Sequence, residues 1–173
     1  MVDPTTGMPD RWARLWAPHR MEYLKGENRP LGENDVACPF CRVPTLGDQE
    51  GLIVARGENA YVVMNLYPYN AGHLLICTYR HVADLTDLTK EERDEISDLT
   101  AHSMVTLRKV SAPAGFNLGM NQGAISGAGV AEHIHQHVVP RWSGDANFMP
   151  LIGQTKVMPV LLSQTRDELA AAW

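Results

Sequence analysis

The segment His133-Ile134-His135-Gln136-His137-Val138-Val139 places a histidine at every second position. A period of two is that of an extended strand, so all three imidazoles are expected on one face, with Ile134, Gln136 and Val138 on the other. Successive histidines then stand about 6.6 Å apart, from ~3.3 Å of rise per residue. Such a row can meet one polyatomic ligand at several points. Isolated strand histidines are mostly packing or surface residues, but three on one face of an internal, apolar-alternating run call for a chemical explanation.

The rest of the pattern supplies companions for this strand. Residues 52–55 and 61–64 read as strands joined through Arg56-Gly57-Glu58-Asn59, a hairpin turn. A connection over 67–72 leads to a third strand at 73–77, and 116–120 is a fourth. The fifth is 133–139, which Pro140 is expected to stop. Between the third and fourth, Thr89 opens a long helix with Glu92 three residues on, a capping box. Ile96, Leu99, Ser103, Leu107 and Val110 then recur at helical spacing and form one face to pack on a sheet. A helical pattern also runs from Asp10 through Trp12, Leu15 and Trp16, and another spans 156–173 with Pro159 near its start. The expected fold class is α+β, an antiparallel sheet of about five strands with one long helix and terminal helices. The expected division is an N-terminal extension with a short helix at 1–35, one domain at 36–142, and a C-terminal segment and helix at 143–173 packed on it. A chain of 173 residues leaves little room for two domains.

Charge narrows the partners. Fifteen cationic residues against twenty anionic ones, a net −5, argue against wrapping nucleic acid through phosphate neutralisation. A small phosphorylated ligand needs only a local cluster of donors. No apolar run reaches the ~20 residues of a membrane span, and the first residues lack the basic and apolar regions of a signal peptide, so a cytoplasmic protein without a membrane partner is expected.

Upstream of the histidines lies Asn121-Gln122-Gly123-Ala124-Ile125-Ser126-Gly127-Ala128-Gly129. A loop this rich in glycine can turn successive backbone N–H groups inward as an anion nest. An imidazole face beside a nest suits phosphate chemistry, with a neutral ring nitrogen free to attack phosphorus. The rival reading is a catalytic metal site, since His-x-His on a strand can supply two ligands to zinc or iron. An amidohydrolase-type barrel needs more residues than this chain has, and a cupin's all-β pattern conflicts with the helix. Cys38-Pro39-Phe40-Cys41 has zinc-knuckle spacing but supplies only half a tetrahedral site, and a redox pair is the competing reading. Cys77, on an apolar strand, reads as a buried thiol.

Residues 133–139 resemble the His-φ-His-φ-His-φ-φ motif (φ apolar) of the histidine triad (HIT) family, with Gln136 as the one polar departure. Asn65-Leu66-Tyr67-Pro68-Tyr69-Asn70-Ala71-Gly72-His73-Leu74-Leu75-Ile76 resembles that family's nucleoside-binding strand, turn and Gly-His segment. With the long helix, the likeness covers about residues 36–142. Residues 137–142, 144–148 and Thr155-Lys156 are similar to the diadenosine tetraphosphate phosphorylase-like branch of actinobacteria.

The resemblance implies a HIT-like fold and a set of roles. His135 is the expected nucleophile, attacking the α-phosphorus of a nucleotide and forming a covalent nucleotidyl-histidine. His137 is expected to donate a hydrogen bond to a non-bridging oxygen, while a main-chain carbonyl near His137, or a neighbouring side chain, holds the proton of His135. His73 lies beside them as an orienting residue or a structural histidine. Asn121 corresponds to the family's phosphate-side asparagine. The serine that usually follows the glycine loop is missing from Gly129-Val130-Ala131-Glu132, so Ser126 or the backbone amides of Gly127 to Gly129 are expected to replace it. Asn65 stands where many members carry a ribose-binding aspartate. Leu66 is expected against the ribose, Val63 in the core or towards the base, and Trp142 and Lys156 at the base or polyphosphate. Zinc-bearing members add two histidines to the cysteine pair, which implies a structural zinc on Cys38, Cys41, His81 and His133.

The implied function is nucleotidyl transfer, above all phosphorolysis of diadenosine tetraphosphate to ATP and ADP with inorganic phosphate as second substrate. Hydrolysis of dinucleoside polyphosphates or purine nucleoside phosphoramidates is the alternative. A nucleotide-binding module without chemistry and a metal-dependent hydrolase are the readings of other classes. No organic cofactor is implied, and by analogy with the family a homodimer is expected.

Overall fold

A computed structural model describes residues 38–145 and 160–173. The expected helix within 1–35 and the expected contact at Lys156 lie outside the described residues. The elements, in chain order, are α1 (Pro39–Arg42), β1 (Ile53–Arg56), β2 (Ala60–Met64), β3 (Leu74–Thr78), α2 (Lys90–Ser111), β4 (Gly115–Met120), β5 (His135–Arg141) and α3 (Leu162–Ala172). The strands form one sheet in the order β1-β2-β3-β5-β4, with every neighbouring pair antiparallel.

Alternation along the strands makes two different faces. Val62, Met64, Leu74, Ile76, Ile134 and Val138 join Ile96 and Leu107 of α2 and Leu169 of α3 in the larger core. Ile53, Tyr61, Val63, Leu75 and Cys77 form a smaller cluster on the opposite face, with Phe40 packed against it. Burying a side chain such as Leu107, 1% exposed, is worth roughly 1.5–3 kcal/mol against leaving it in water. α2 and α3 thus take one face of the sheet, and the other is left for α1 and the histidines.

The capping box forms as the sequence predicts. Thr89 Oγ1 accepts from the Glu92 N–H at 3.2 Å, and Glu92 Oε2 accepts from the Thr89 N–H at 2.8 Å. The same carboxylate takes Arg80 through Nε at 2.9 Å and an Nη at 2.6 Å, joining the segment after β3 to the first turn of α2. Further along, the carboxylate of Glu95 accepts from the backbone N–H groups of Glu58 and Asn59, each at 2.6 Å, and so pins the β1–β2 turn. Gly57 permits that approach: a Cβ there would lie 2.0 Å from Glu95 Oε1.

Two boundaries differ from expectation. β5 begins at His135 rather than 133, because the backbone N–H of Ile134 bonds to the Val82 carbonyl at 2.7 Å instead of joining the ladder. Nor does Pro140 stop the strand, which runs to Arg141 with Pro140 paired to Phe116 of β4. The Pro140 carbonyl accepts from Asn70 Nδ2 at 3.1 Å, ahead of the start of β3. In a strand the N and O of one residue point to the same side, so the N–H that proline lacks falls where no ladder bond is due.

Candidate active site and metal centre

His135 and His137 project from β5, and His133 sits just before it; their exposures are 5%, 8% and 0%. The rings of His135 and His137 are 4.9 Å apart and inclined at 66°. His135 Nδ1 lies 2.8 Å from the His133 carbonyl oxygen. A carbonyl only accepts, so Nδ1 carries the proton and Nε2 keeps a lone pair. The family resemblance implies a main-chain carbonyl near His137, or a neighbouring side chain, as the holder of this proton; the acceptor in the structure is the His133 carbonyl. Burial holds His135 below the ordinary histidine range, with the hydrogen bond to the His133 carbonyl acting the other way.

A second chain of hydrogen bonds fixes His137. The backbone N–H of Tyr69 donates to His73 Nδ1 at 2.9 Å, so His73 must carry its proton on Nε2. That Nε2 is 2.9 Å from His137 Nδ1 and donates to it. A neutral His137 is therefore left with Nε2–H, directed away from His73. Asn121 lies on that side, its amide nitrogen 3.3 Å from His137 Nε2; with Nε2 protonated, the bonded arrangement has the amide turned over to offer its oxygen. Tyr69 covers the pair, its ring 4.7 Å from that of His73 and stacked 5.5 Å from that of His137.

The other predicted residues separate. Asn65 turns its amide oxygen to the Tyr67 N–H at 2.9 Å and its nitrogen to His73 Nδ1 at 3.3 Å, so in this structure it braces the loop before β3. Leu66 is exposed on that loop and Val63 is buried in the smaller cluster. In the glycine loop, Gly127 has a left-handed φ of +84°, and Ser126 donates its hydroxyl to the Gly123 carbonyl at 2.7 Å. Gly129 belongs to the same loop, two residues after Gly127. Trp142 is placed elsewhere, its indole N–H on the Ser111 carbonyl at 3.2 Å at the end of α2.

Cys38, Cys41, His81 and His133 bring one ligand atom each to within 4.8 Å of one another. Cys38 Sγ and Cys41 Sγ lie 3.3 and 3.5 Å from His133 Nδ1, and Cys41 Sγ is 3.2 Å from His81 Nδ1. A tetrahedral centre with bonds of about 2.0–2.3 Å has edges of about 3.3–3.8 Å, so this set fits a bound cation. The far nitrogen of His133, Nε2, donates to the Thr78 carbonyl at 2.9 Å, which leaves Nδ1 unprotonated and aimed at the thiols. Burial, followed by the neighbouring Cys38, pushes the Cys41 thiol up to about 11. A divalent cation would reverse that preference by stabilising the thiolate. Cys77 is fully buried apart from this set.

Sequence reasoning missed three contributors. Phe40 packs on both His133 and His135, at ring separations of 5.6 and 4.8 Å. Tyr69 supplies the N–H that sets the tautomer of His73. Asp145 accepts from Arg141, Asn70 and the Trp142 N–H, tying the Tyr69-bearing loop to the end of β5. The cysteines flanking Phe40 were the only local sign that its neighbourhood mattered.

The HIT domain family model matches residues 47–144. Over 176 residues the chain is 48% identical to a Mycobacterium tuberculosis protein named AP-4-A phosphorylase, covering 100% of this chain and 90% of that one. It is 32% identical over 82 residues to the asymmetrical bis(5'-nucleosyl)-tetraphosphatase of Schizosaccharomyces pombe, covering 47% and 44% of the two chains. The crystal structure of a Zn-bound histidine triad family protein from Mycobacterium smegmatis shares the fold. Its TM-score is 0.64 at 24% identity, covering 80% of this chain and 94% of that one.

Proposed function

The chain belongs to the HIT domain family, and from that premise we propose that it is an enzyme that transfers a nucleotidyl group through His135, splitting diadenosine tetraphosphate with inorganic phosphate into ATP and ADP. The observation that carries this reading is the 2.8 Å bond from His135 Nδ1 to the His133 carbonyl, which leaves Nε2 as the free lone pair. Nε2 attacks the α-phosphorus of one adenosine. The N–P bond forms as the P–O bond to the rest of the polyphosphate breaks, ATP departs, and the adenylyl group stays on His135. Phosphate then attacks the same phosphorus, the N–P bond breaks, and ADP departs. Two in-line displacements give net retention at phosphorus.

His137, its Nε2–H turned outward by His73, donates to a non-bridging oxygen and offsets charge that grows in the transition state. Asn121 and the backbone amides of Gly127 and Gly129 form the phosphate side. Ser126 contributes through the shape of the loop, because its hydroxyl proton is directed at Gly123. Asn65 and Leu66 border the ribose. Cys38, Cys41, His81 and His133 would hold a zinc ion with four protein donors, which would tie α1 to the residues ahead of β5 and leave the reaction to the histidines. One zinc per chain is expected by elemental analysis, and its absence would argue for plain thiols. The homodimer reading is supported by two exposed apolar side chains, Val105 of α2 and Leu118 on the edge strand β4.

Product analysis tests the activity. ATP and ADP formed only with inorganic phosphate support phosphorolysis, whereas ATP and AMP formed regardless of phosphate would show that water is the acceptor. His135→Ala is expected to lower kcat by on the order of 10⁴-fold or more and to abolish the adenylyl-enzyme, with the melting temperature little changed. Retained turnover would exclude His135 as the nucleophile.

A further inference from the structure

Asn70 fastens the loop before β3 to the far end of β5. Its amide nitrogen donates to the Asp145 carboxylate at 2.7 Å and to the Pro140 carbonyl at 3.1 Å. Both partners only accept, so the nitrogen and not the oxygen of the amide must face them. Asp145 is itself held by Arg141, through Nε at 2.6 Å and an Nη at 2.8 Å, and by the Trp142 N–H at 3.1 Å. The Arg141 guanidinium keeps this carboxyl well below the usual carboxylate range, so it stays an acceptor at neutral pH. The turn that Asn70 opens is tight. The His73 N–H donates back to the Asn70 carbonyl at 3.2 Å. Gly72 takes a left-handed φ of +70°, where a Cβ would come 3.1 Å from Leu107 Cδ2 of α2.

Tyr69 precedes Asn70, and the placing of its N–H decides two tautomers. With that N–H on His73 Nδ1, His73 carries its proton on Nε2, His137 accepts on Nδ1, and His137 presents Nε2–H. If the Tyr69 N–H moves away, His73 Nδ1 can take the proton instead. His73 Nε2 then accepts, His137 donates from Nδ1, and its Nε2 turns from a donor into a lone pair. The other end of the loop has its own fastening, the Asn65 N–H on the His73 carbonyl at 3.0 Å. Loss of the Asn70 bonds therefore loosens the Tyr69 end while the Asn65 end stays tied. We propose that Asn70, latched on Asp145, is a positioning residue for His137, holding the Tyr69 N–H on His73 so that His137 Nε2 remains a donor; this rests on the reading of His137 as the donor to a phosphoryl oxygen.

The test compares three variants with the unaltered protein, loaded with zinc: Asn70→Ala, Asn70→Asp, and Asn70→Asp combined with Asp145→Asn. The first leaves the Arg141–Asp145 pair in place. The second keeps the shape but sets an acceptor against two acceptors. The third restores a bond between positions 70 and 145 with its direction reversed. The readouts are kcat and KM for diadenosine tetraphosphate, and the tautomers of His73 and His137 by long-range proton–nitrogen NMR. In both single variants kcat should fall roughly 10- to 100-fold at a nearly unchanged KM, the scale of a reacting group displaced by about 1 Å. The Nε2–H form of His137 should give way to a mixture. The exchanged pair should recover part of the rate and of the Nε2–H form, a coupling that the double-mutant cycle isolates. Unchanged tautomers in Asn70→Ala would overturn the proposal. So would a raised KM with kcat intact, which would make the loop part of the nucleotide seat, or an exchanged pair no better than Asn70→Asp alone. If Asn70→Asp does not fold, the alanine variant decides by its tautomers and its kcat. An unchanged kcat in His137→Ala is a separate result: it removes the donor reading itself, whatever the tautomers show.

Discussion

His133 serves two partners with two different parts of one residue. Its imidazole lies among the thiols and its carbonyl holds His135. Burial pushes its pKa from 6.5 down to about 4 in the metal-free protein, and His135 is lowered for the same reason. The unfolded chain binds these protons near 6.5 and the folded chain only well below that, so the unfolded state holds more protons in between. The stability that these two histidines contribute to the metal-free protein is therefore fully present above about pH 6.5 and falls away as pH drops towards 4. Its melting temperature, followed from pH 7.5 to pH 5, is expected to drop by several degrees, since about 1 kcal/mol moves it ~2–4 °C in a chain of this size. A flat profile would refute this account of the buried histidines. The spacing of the three histidines was legible in the sequence because it is a local, period-two fact. That Phe40 or Tyr69 touches them was not, since the two segments approach β5 from about 95 and 68 residues away, and no local pattern reports such contacts.

The elements divide along the same line. α2 was readable from end to end, because its cap, its acidic first turn and its inward stripe all lie within the helix. Thr89→Ala removes the acceptor for the Glu92 N–H and should cost about 1 kcal/mol. The readout is a lower denaturant midpoint with an unchanged slope; an unaltered midpoint would mean that the Arg80 pair alone holds this turn. β5 was readable in character but not in extent. A proline ends a strand only where a partner awaits its N–H, and whether one does depends on where β3 begins, some 65 residues earlier. Asn65 shows a similar limit: its type suits a ribose contact, while its actual bonds depend on how the following loop folds back.

At the scale of the whole molecule, the two faces of the sheet have separate occupations. α2 and α3 cover one, and the other holds α1, the thiols and the histidines. β4 lies at one edge with Leu118 exposed, and Val105 is exposed on α2. Sedimentation equilibrium is expected to give a mass near twice 19.2 kDa, and Leu118→Asp should bring it down to that of one chain. A single-chain mass for the unaltered protein would remove the homodimer reading.

The strand order also dictates the sequence in which the molecule can be completed. Among the described strands β5 is the last to be synthesised, yet it lies between β3 and β4. Until residues 135–141 emerge from the ribosome, β4 has no neighbour in the sheet and β1, β2 and β3 form an unfinished one. Those late residues close the sheet and deliver His135 and His137 in the same event. His135 and His137 therefore take their places in the sheet together, as β5 enters between β3 and β4.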